Sequence, residues 1–422
     1  MPFYYQLEQG SAISDRPFPD LPAIDLYSVQ HNRQPVFILQ QRPVETSQVC
    51  SLVHEPSHLF VEQESLKLLC RDDPEDGADH QVPGWLVKRI EQRQVFLVNT
   101  AHHRWKNRLS MGPFKGKRIH LAGLGDVGGT LLTGLRLLGS PAIDDIGIFD
   151  LSSQKMERWI HEANQIASIH YDSFPAVSLL QPENLFDCDV FIFCIARQVP
   201  GLDSKNIDVR MAQFDANSSI LRDYARLART AAFTGLFAVV SDPVDQLCRV
   251  VYHESNVSEA GVFDGRGLFP EQVKGFGLGV MNARAHFYAA QNPSADRFSR
   301  EGRVYGPHGS GLVVADSLIH YHPEVSDWLT HKTLTANLAV REMGYKPYVA
   351  PALSSGCLSI LATIKGEWHY STVPLNCVYF GCLNRMNAYA DAYAQEWETV
   401  DFPDILFKRL QKTFSQLEAS PW

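Results

Sequence analysis

Between residues 115 and 242, short apolar runs alternate with longer segments whose apolar residues recur every three or four positions. Residues 118–123, 146–150, 177–180, 190–195 and 236–241 read as strands, whereas the stretch from 127, residues 155–167 and residues 219–232 read as helices. Strands joined through helices by short connections imply right-handed crossovers and a parallel, doubly wound α/β sheet. Beyond Asp242 the pattern mixes helices with shorter strands and ends in helices expected over about 384–394 and 403–417. Before residue 115 the pattern weakens, leaving strand candidates at 35–39, 59–61 and 95–98 among polar and proline-containing stretches. The expected division is therefore a small extra N-terminal domain of unassigned role (1–115), a doubly wound domain (116–245) and a mixed α/β domain that carries substrate (246–422).

Composition narrows the function classes. The chain has 422 residues, 45% of them apolar and 20% charged, which is ordinary for a folded protein of two or three domains. Its 38 Lys and Arg against 47 Asp and Glu leave a charge of −9, which argues against nucleic acid or an anionic membrane as the main partner. The longest apolar run, residues 190–196, is far below the roughly 18 residues that a membrane span needs. The N-terminus MPFYYQLEQG lacks a cationic start followed by an apolar core, so a cytoplasmic protein is expected. The eight cysteines form no Cys-x-x-Cys pair and read as core thiols. His54, His58, His80, His102 and His103 have no Cys or carboxylate at ligand spacing, so no metal is expected. The acidic run 72–79 reads as a solvated loop.

The first strand leads into Gly123-Leu124-Gly125-Asp126-Val127-Gly128-Gly129. Such glycines serve a tight turn, close backbone approach to a pyrophosphate and helix packing on the sheet, with the phosphate at the helix N-terminus. Asp150 closes the next strand, where a carboxylate can accept from both ribose hydroxyls and repel a 2′-phosphate. The reading is a Rossmann-type domain that prefers NAD to NADP.

Four further segments follow in chain order: Ala196-Arg197-Gln198-Val199-Pro200-Gly201, Val239-Val240-Ser241-Asp242-Pro243-Val244-Asp245, Met281-Asn282-Ala283-Arg284, and Tyr305-Gly306-Pro307-His308-Gly309-Ser310. With the glycine turn, they make residues 116–417 resemble the L-lactate/malate dehydrogenase family, and residues 1–115 lie outside that resemblance. It implies an NAD-dependent oxidoreductase that interconverts a small 2-hydroxy acid and a 2-oxo acid, in subunits associating as a homo-oligomer, a dimer or a tetramer. It places His308 as general acid/base, a task suited to an imidazole that titrates near operating pH. It makes Arg284 the fork on the substrate carboxylate. Gln198 matches the glutamine of the lactate-type members, and Ala196 joins Gly123, Gly125, Asp126, Val127, Gly128 and Asp150 against the cofactor.

The departures from the family pattern are equally specific. Asn282 stands where the family holds an aspartate against the catalytic histidine, and Asp242 stands where it holds an asparagine before the proline. The two side chains look exchanged, with Asp242 restoring a negative charge near His308 or the nicotinamide. The mobile-loop arginine that polarises the substrate carbonyl is replaced in register by Ser204, with Lys205 and Arg210 as candidates nearby. Lys346 falls where lactate-type members place a small hydroxyl residue in the substrate pocket, and a cation there would bind a second acidic group or stand in for the loop arginine. Two rival readings follow: a dehydrogenase-derived protein that binds NAD or a carboxylate ligand without catalysis, and a dehydrogenase for a different acid.

Overall fold

The computed structural model describes residues 2–72, 82–109, 116–169, 174–197, 209–386 and 394–420. In the N-terminal part, strands β1 (Phe3–Leu7) and β2 (Gly10–Ser14) form an antiparallel hairpin. Strand β2 runs parallel to β3 (Val36–Gln40), β3 runs parallel to β5 (Val95–Asn99), and the short β4 (Cys50–Leu52) is antiparallel to β5. Helices α1 (Leu26–His31) and α2 (Gly84–Glu91) connect these strands; α1 begins where the Asp25 carboxylate accepts from the Ser28 amide at 2.7 Å.

This sheet continues into the other end of the chain. Strand β4 pairs in parallel with β16 (Gln395–Trp397), which is followed by β15 (Val378–Met386) and β14 (His369–Leu375), so that eight strands share one sheet. The N-terminal segment is present as an addition, but it does not close on itself: left alone, three-residue β4 would expose an unpaired ladder edge. Side chains seal the joint. Trp397, 1% exposed, stacks on His54 with ring centroids 4.7 Å apart and donates its indole N–H to the Leu68 carbonyl at 2.6 Å.

The second sheet has the order β11-β10-β9-β6-β7-β8, every neighbouring pair parallel. Its strands are β6 (Arg118–Ala122), β7 (Asp145–Phe149), β8 (Ala176–Leu179), β9 (Val190–Phe193), β10 (Leu236–Val239) and β11 (Val273–Gly275). Four-residue β9 and β10 are buried throughout, as strands covered on both faces require. Helices α3 (Asp126–Leu138), α4 (Ser153–Asn164), α5 (Val209–Thr230) and α6 (Val244–Ser255) connect them, α5 starting well before the expected 219. The remaining elements are α7 (Leu278–Ala289), α8 (Phe298–Glu301), the hairpin β12 (Arg303–Tyr305) and β13 (Val313–Ala315), α9 (Pro323–Glu342), α10 (Ser359–Lys365) and α11 (Asp404–Ala419). No helix among the described residues is long and apolar enough to cross a membrane.

Two expected elements change type. Residues 59–61 fall at the end of a 3₁₀ turn, Pro56–Phe60, in which neighbouring His58 and Leu59 are both buried, a pattern that alternation does not produce. Asn384 lies in β15 rather than opening a helix, and its side-chain amide is held by the sheet: Nδ2 donates across to the Ser371 carbonyl of β14 at 3.0 Å and along its own strand to the Cys382 carbonyl at 2.9 Å. Residues 387–393 are outside the described set.

Where the two sheets meet, β11 contributes Lys274, which is fully buried. Its ammonium donates to Asn384 Oδ1, the Thr372 carbonyl and Ser371 Oγ at 2.8, 3.1 and 3.3 Å, and burial pushes its pKa down from 10.5 to about 7. Between those two values the unfolded chain holds a proton that the folded chain lacks, so this group adds stability as pH rises from about 7. Lys274→Met is expected to be more stable than the parent near pH 7, with the gap narrowing by up to about 1.4 kcal/mol per pH unit toward pH 9. Urea unfolding of both proteins at several pH values measures the gap; a constant gap would mean that Lys274 keeps its ordinary pKa in the core.

Candidate functional site

The glycine turn is built from hard contacts. Gly123 follows β6 with φ 99°, and a Cβ there would lie 2.7 Å from the Cys194 carbonyl at the end of β9. A Cβ on Gly128, in the first turn of α3, would fall 1.8 Å from the Gly123 oxygen, so helix and strand approach only because both residues are glycine. Gly125, the residue that caps α3, differs: a Cβ there would meet nothing within 4 Å, leaving open space in front of the first amides of α3. Asp126 and Val127 open that helix, and exposed Ala196 follows β9.

Asp150, just past β7, ties the turn down. Its Oδ2 accepts from the Leu124 amide at 2.9 Å and its Oδ1 from the Ser152 amide at 3.0 Å, while Lys155 Nζ stands 3.6 Å away. An open helix N-terminus, a close-packed glycine strand-to-helix turn and a carboxylate at the neighbouring strand's carboxyl end fit a dinucleotide. Cys194, behind the turn, is an inert thiol whose pKa burial pushes up to about 12.

The second cluster lies where β10, α6, α7 and the β12–β13 connection converge. His308 is in that connection, between Gly306 and Gly309, whose φ values are 89° and 149°. Its amide donates to Asp245 Oδ2 at 2.9 Å, and its Nδ1–H donates to the Gly277 carbonyl at 2.7 Å. A carbonyl can only accept, so Nδ1 carries the hydrogen and Nε2 is left to meet other groups. Asp242 Oδ1 stands 3.8 Å from that Nε2, with its side chain 53% exposed against 15% for His308. Gly277 is fixed by the same fit, since a Cβ on it would come within 2.6 Å of His308 Cβ. Its carbonyl also accepts from Ser355 Oγ at 2.7 Å, and Ser355 Oγ in turn accepts from the Val280 amide at 2.8 Å. Ser355 belongs to a π-helical turn, Pro351–Leu358, a geometry often met at functional sites.

Arg284, on α7, is partly buried, and its one hydrogen bond among the described residues is from Nη1 to Met281 Sδ at 3.7 Å. No described carboxylate lies within ion-pair distance of it. Burial lowers its pKa, and the charge of Asp242 works in the opposite direction. Asp242 is held through its carbonyl, which accepts from Asn217 Nδ2 at 2.8 Å; Asn217 Oδ1 accepts from the Arg197 amide at 3.0 Å and so links two of the sequence segments.

His308, Arg284 and Asp242 are thus brought together. Asn282, on α7, makes no hydrogen bond to the ring of His308, whose Nδ1–H is taken by the Gly277 carbonyl instead. Lys346 does not line the cluster either: it pairs with Asp126 at 3.0 Å at the mouth of the glycine turn, both side chains at least half exposed. Gln198, Ser204 and Lys205 lie outside the described residues, and Arg210 lies in the first turn of α5. Sequence reasoning did not single out Gly277, Ser355 or Asn217. Asp245, by contrast, already stood in the Ser241–Asp245 motif.

Comparison with known proteins agrees with this geometry. Residues 117–264 match the model of the lactate/malate dehydrogenase NAD-binding domain. An L-lactate dehydrogenase 2 of Staphylococcus aureus is 25% identical over 195 residues, which cover 46% of this chain and 55% of that protein. The chain therefore spans about half the length of the curated relatives it matches. Among solved structures, the minor L-lactate dehydrogenase of Enterococcus mundtii superposes with a TM-score of 0.56 at 17% identity, covering 72% of this chain and 97% of that one. The malate dehydrogenase of Archaeoglobus fulgidus in complex with NADH gives a TM-score of 0.53 at 17% identity, covering 71% and 97%. These two likenesses establish the fold of the larger part of the chain. Residues 117–264 are therefore similar to the NAD-binding domain of lactate/malate dehydrogenases, and the chain carries an additional segment ahead of them.

Proposed function

We propose that the protein is an NAD-dependent oxidoreductase that interconverts a small 2-hydroxy acid and the corresponding 2-oxo acid. The observation that carries this reading is the convergence on Asp242 of a histidine whose Nε2 is left for other groups and a half-buried arginine that has no carboxylate partner among the described residues. NAD, held at the Gly123–Gly128 turn and by Asp150, supplies the hydride acceptor. Arg284 binds the substrate carboxylate through two parallel N–H donors. His308 Nε2 takes the proton of the C2 hydroxyl during oxidation and returns it during reduction. The Gly277 carbonyl, oriented by Ser355, keeps the ring in the tautomer that leaves Nε2 free. Asp242 stabilises the imidazolium that forms, the duty expected of a carboxylate on this histidine.

NADH oxidation by the purified protein with a panel of 2-oxo mono- and diacids tests the reading. Turnover with a 2-oxo acid supports it; tight NADH binding without turnover would favour a ligand-binding descendant of a dehydrogenase. The family resemblance carries with it a dimer or tetramer, which sedimentation measures. Arg284→Lys keeps the charge but loses the fork, and is expected to lower kcat/KM about 10- to 100-fold, mainly through KM. An unchanged KM would remove Arg284 from the substrate carboxylate.

A further inference from the structure

We propose that the same centre also accepts nitrogen at C2, interconverting a 2-amino acid and the corresponding 2-imino acid, with Asp242 as the residue that favours the cationic group. The inference rests on the assignment of His308 and Arg284 made above. If Arg284 holds the substrate carboxylate and His308 Nε2 meets the C2 substituent, that substituent also faces Asp242 Oδ1, 3.8 Å from the same ring nitrogen. A carbonyl oxygen is a poor neighbour for this carboxylate. Both groups are hydrogen-bond acceptors, and reduction places further negative charge on the oxygen, which Asp242 opposes. An iminium or ammonium nitrogen reverses both terms, because it donates N–H and carries positive charge.

The charges of an amino acid also match the site in sign and sequence. Its carboxylate meets the guanidinium of Arg284, which has no carboxylate partner among the described residues, and its nitrogen meets the half-exposed carboxylate of Asp242. In the oxidative direction R–CH(NH3+)–COO− gives one N–H proton to His308 Nε2 and the C2 hydride to NAD, leaving R–C(=NH2+)–COO−, NADH and one proton for solvent. Water then converts the iminium to the 2-oxo acid and ammonium. The reverse sequence builds the amino acid from a 2-oxo acid, ammonium and NADH.

The test offers the full-length protein NADH with three probes: pyruvate, pyruvate with ammonium, and the preformed cyclic imine 1-pyrroline-2-carboxylate, products being identified by mass spectrometry. Binding of alanine and proline in the presence of NAD is measured separately by calorimetry. The expected result is reduction of the imine to proline, and an imine-to-pyruvate ratio of kcat/KM that falls about 10- to 100-fold in Asp242→Asn, the worth of one hydrogen bond to a charged group. Amino-acid binding should weaken in Asp242→Asn and persist in Asp242→Glu. Reduction of pyruvate to lactate with no imine reduction, or a ratio unchanged by Asp242→Asn, overturns the proposal and leaves the hydroxy-acid reading standing. Oxidation of NADH by none of the three probes, with no amino-acid binding, overturns the proposal, and turnover in the panel of 2-oxo acids then decides the hydroxy-acid reading separately.

Discussion

Replacing His308 with alanine is expected to lower kcat/KM by 10² to 10⁴, the usual contribution of a positioned general acid/base. The loss falls on proton transfer, since the ring's Nδ1–H is engaged with the Gly277 carbonyl and Nε2 is the nitrogen left for substrate. NADH affinity should hardly change, because the elements that shape the nucleotide turn, Gly123, Gly128 and Asp150, make no contact with the ring. The fold should also survive, since the His308 amide still donates to Asp245 Oδ2 in the variant. Steady-state kinetics with the best 2-oxo acid, together with fluorescence titration of NADH, separates these terms. An alanine variant within a few-fold of the parent would move the acid/base elsewhere; one that cannot bind NADH would make His308 a structural residue.

The geometry explains why some of this site was legible in the sequence and some was not. The doubly wound sheet announces itself because β9 and β10 are apolar at every position, and the glycine turn because Gly123 and Gly128 leave no room for a side chain. His308, Arg284 and Asp242 are chemically distinctive and sit in recognisable segments. The group that orients His308 is a backbone carbonyl, which has no side-chain signature, and its second donor, Ser355, comes from a turn 78 residues away in sequence. A motif also places a residue near a site without fixing its partner: the Nδ1–H of His308 meets the Gly277 carbonyl, and Lys346 pairs with Asp126. The joining of N-terminal and C-terminal strands was invisible because it depends on Ser51 meeting Gln395, a pairing that no local pattern encodes.

That joint sets the second large effect, expected at Arg108. Arg108 is 1% exposed and lies over the Phe269 ring at 4.7 Å; its Nη2 is 3.2 Å from Oε1 of Glu271, which is fully buried. The Glu271 carboxylate also accepts from the amides of Val49 and Cys50 at 3.2 and 3.3 Å, so one ion pair fastens the N-terminal segment to the residues that lead into β11. Arg108→Met leaves a carboxylate buried without its counter-charge, at a cost of about 3–5 kcal/mol. Adding Glu271→Gln removes the stranded charge and keeps an acceptor for one of the two amides, so the double variant should recover part of the loss. Urea unfolding of the parent and the two variants reads both expectations. A double variant as unstable as the single one would mean that Arg108 acts through its packing on Phe269 and not through its charge.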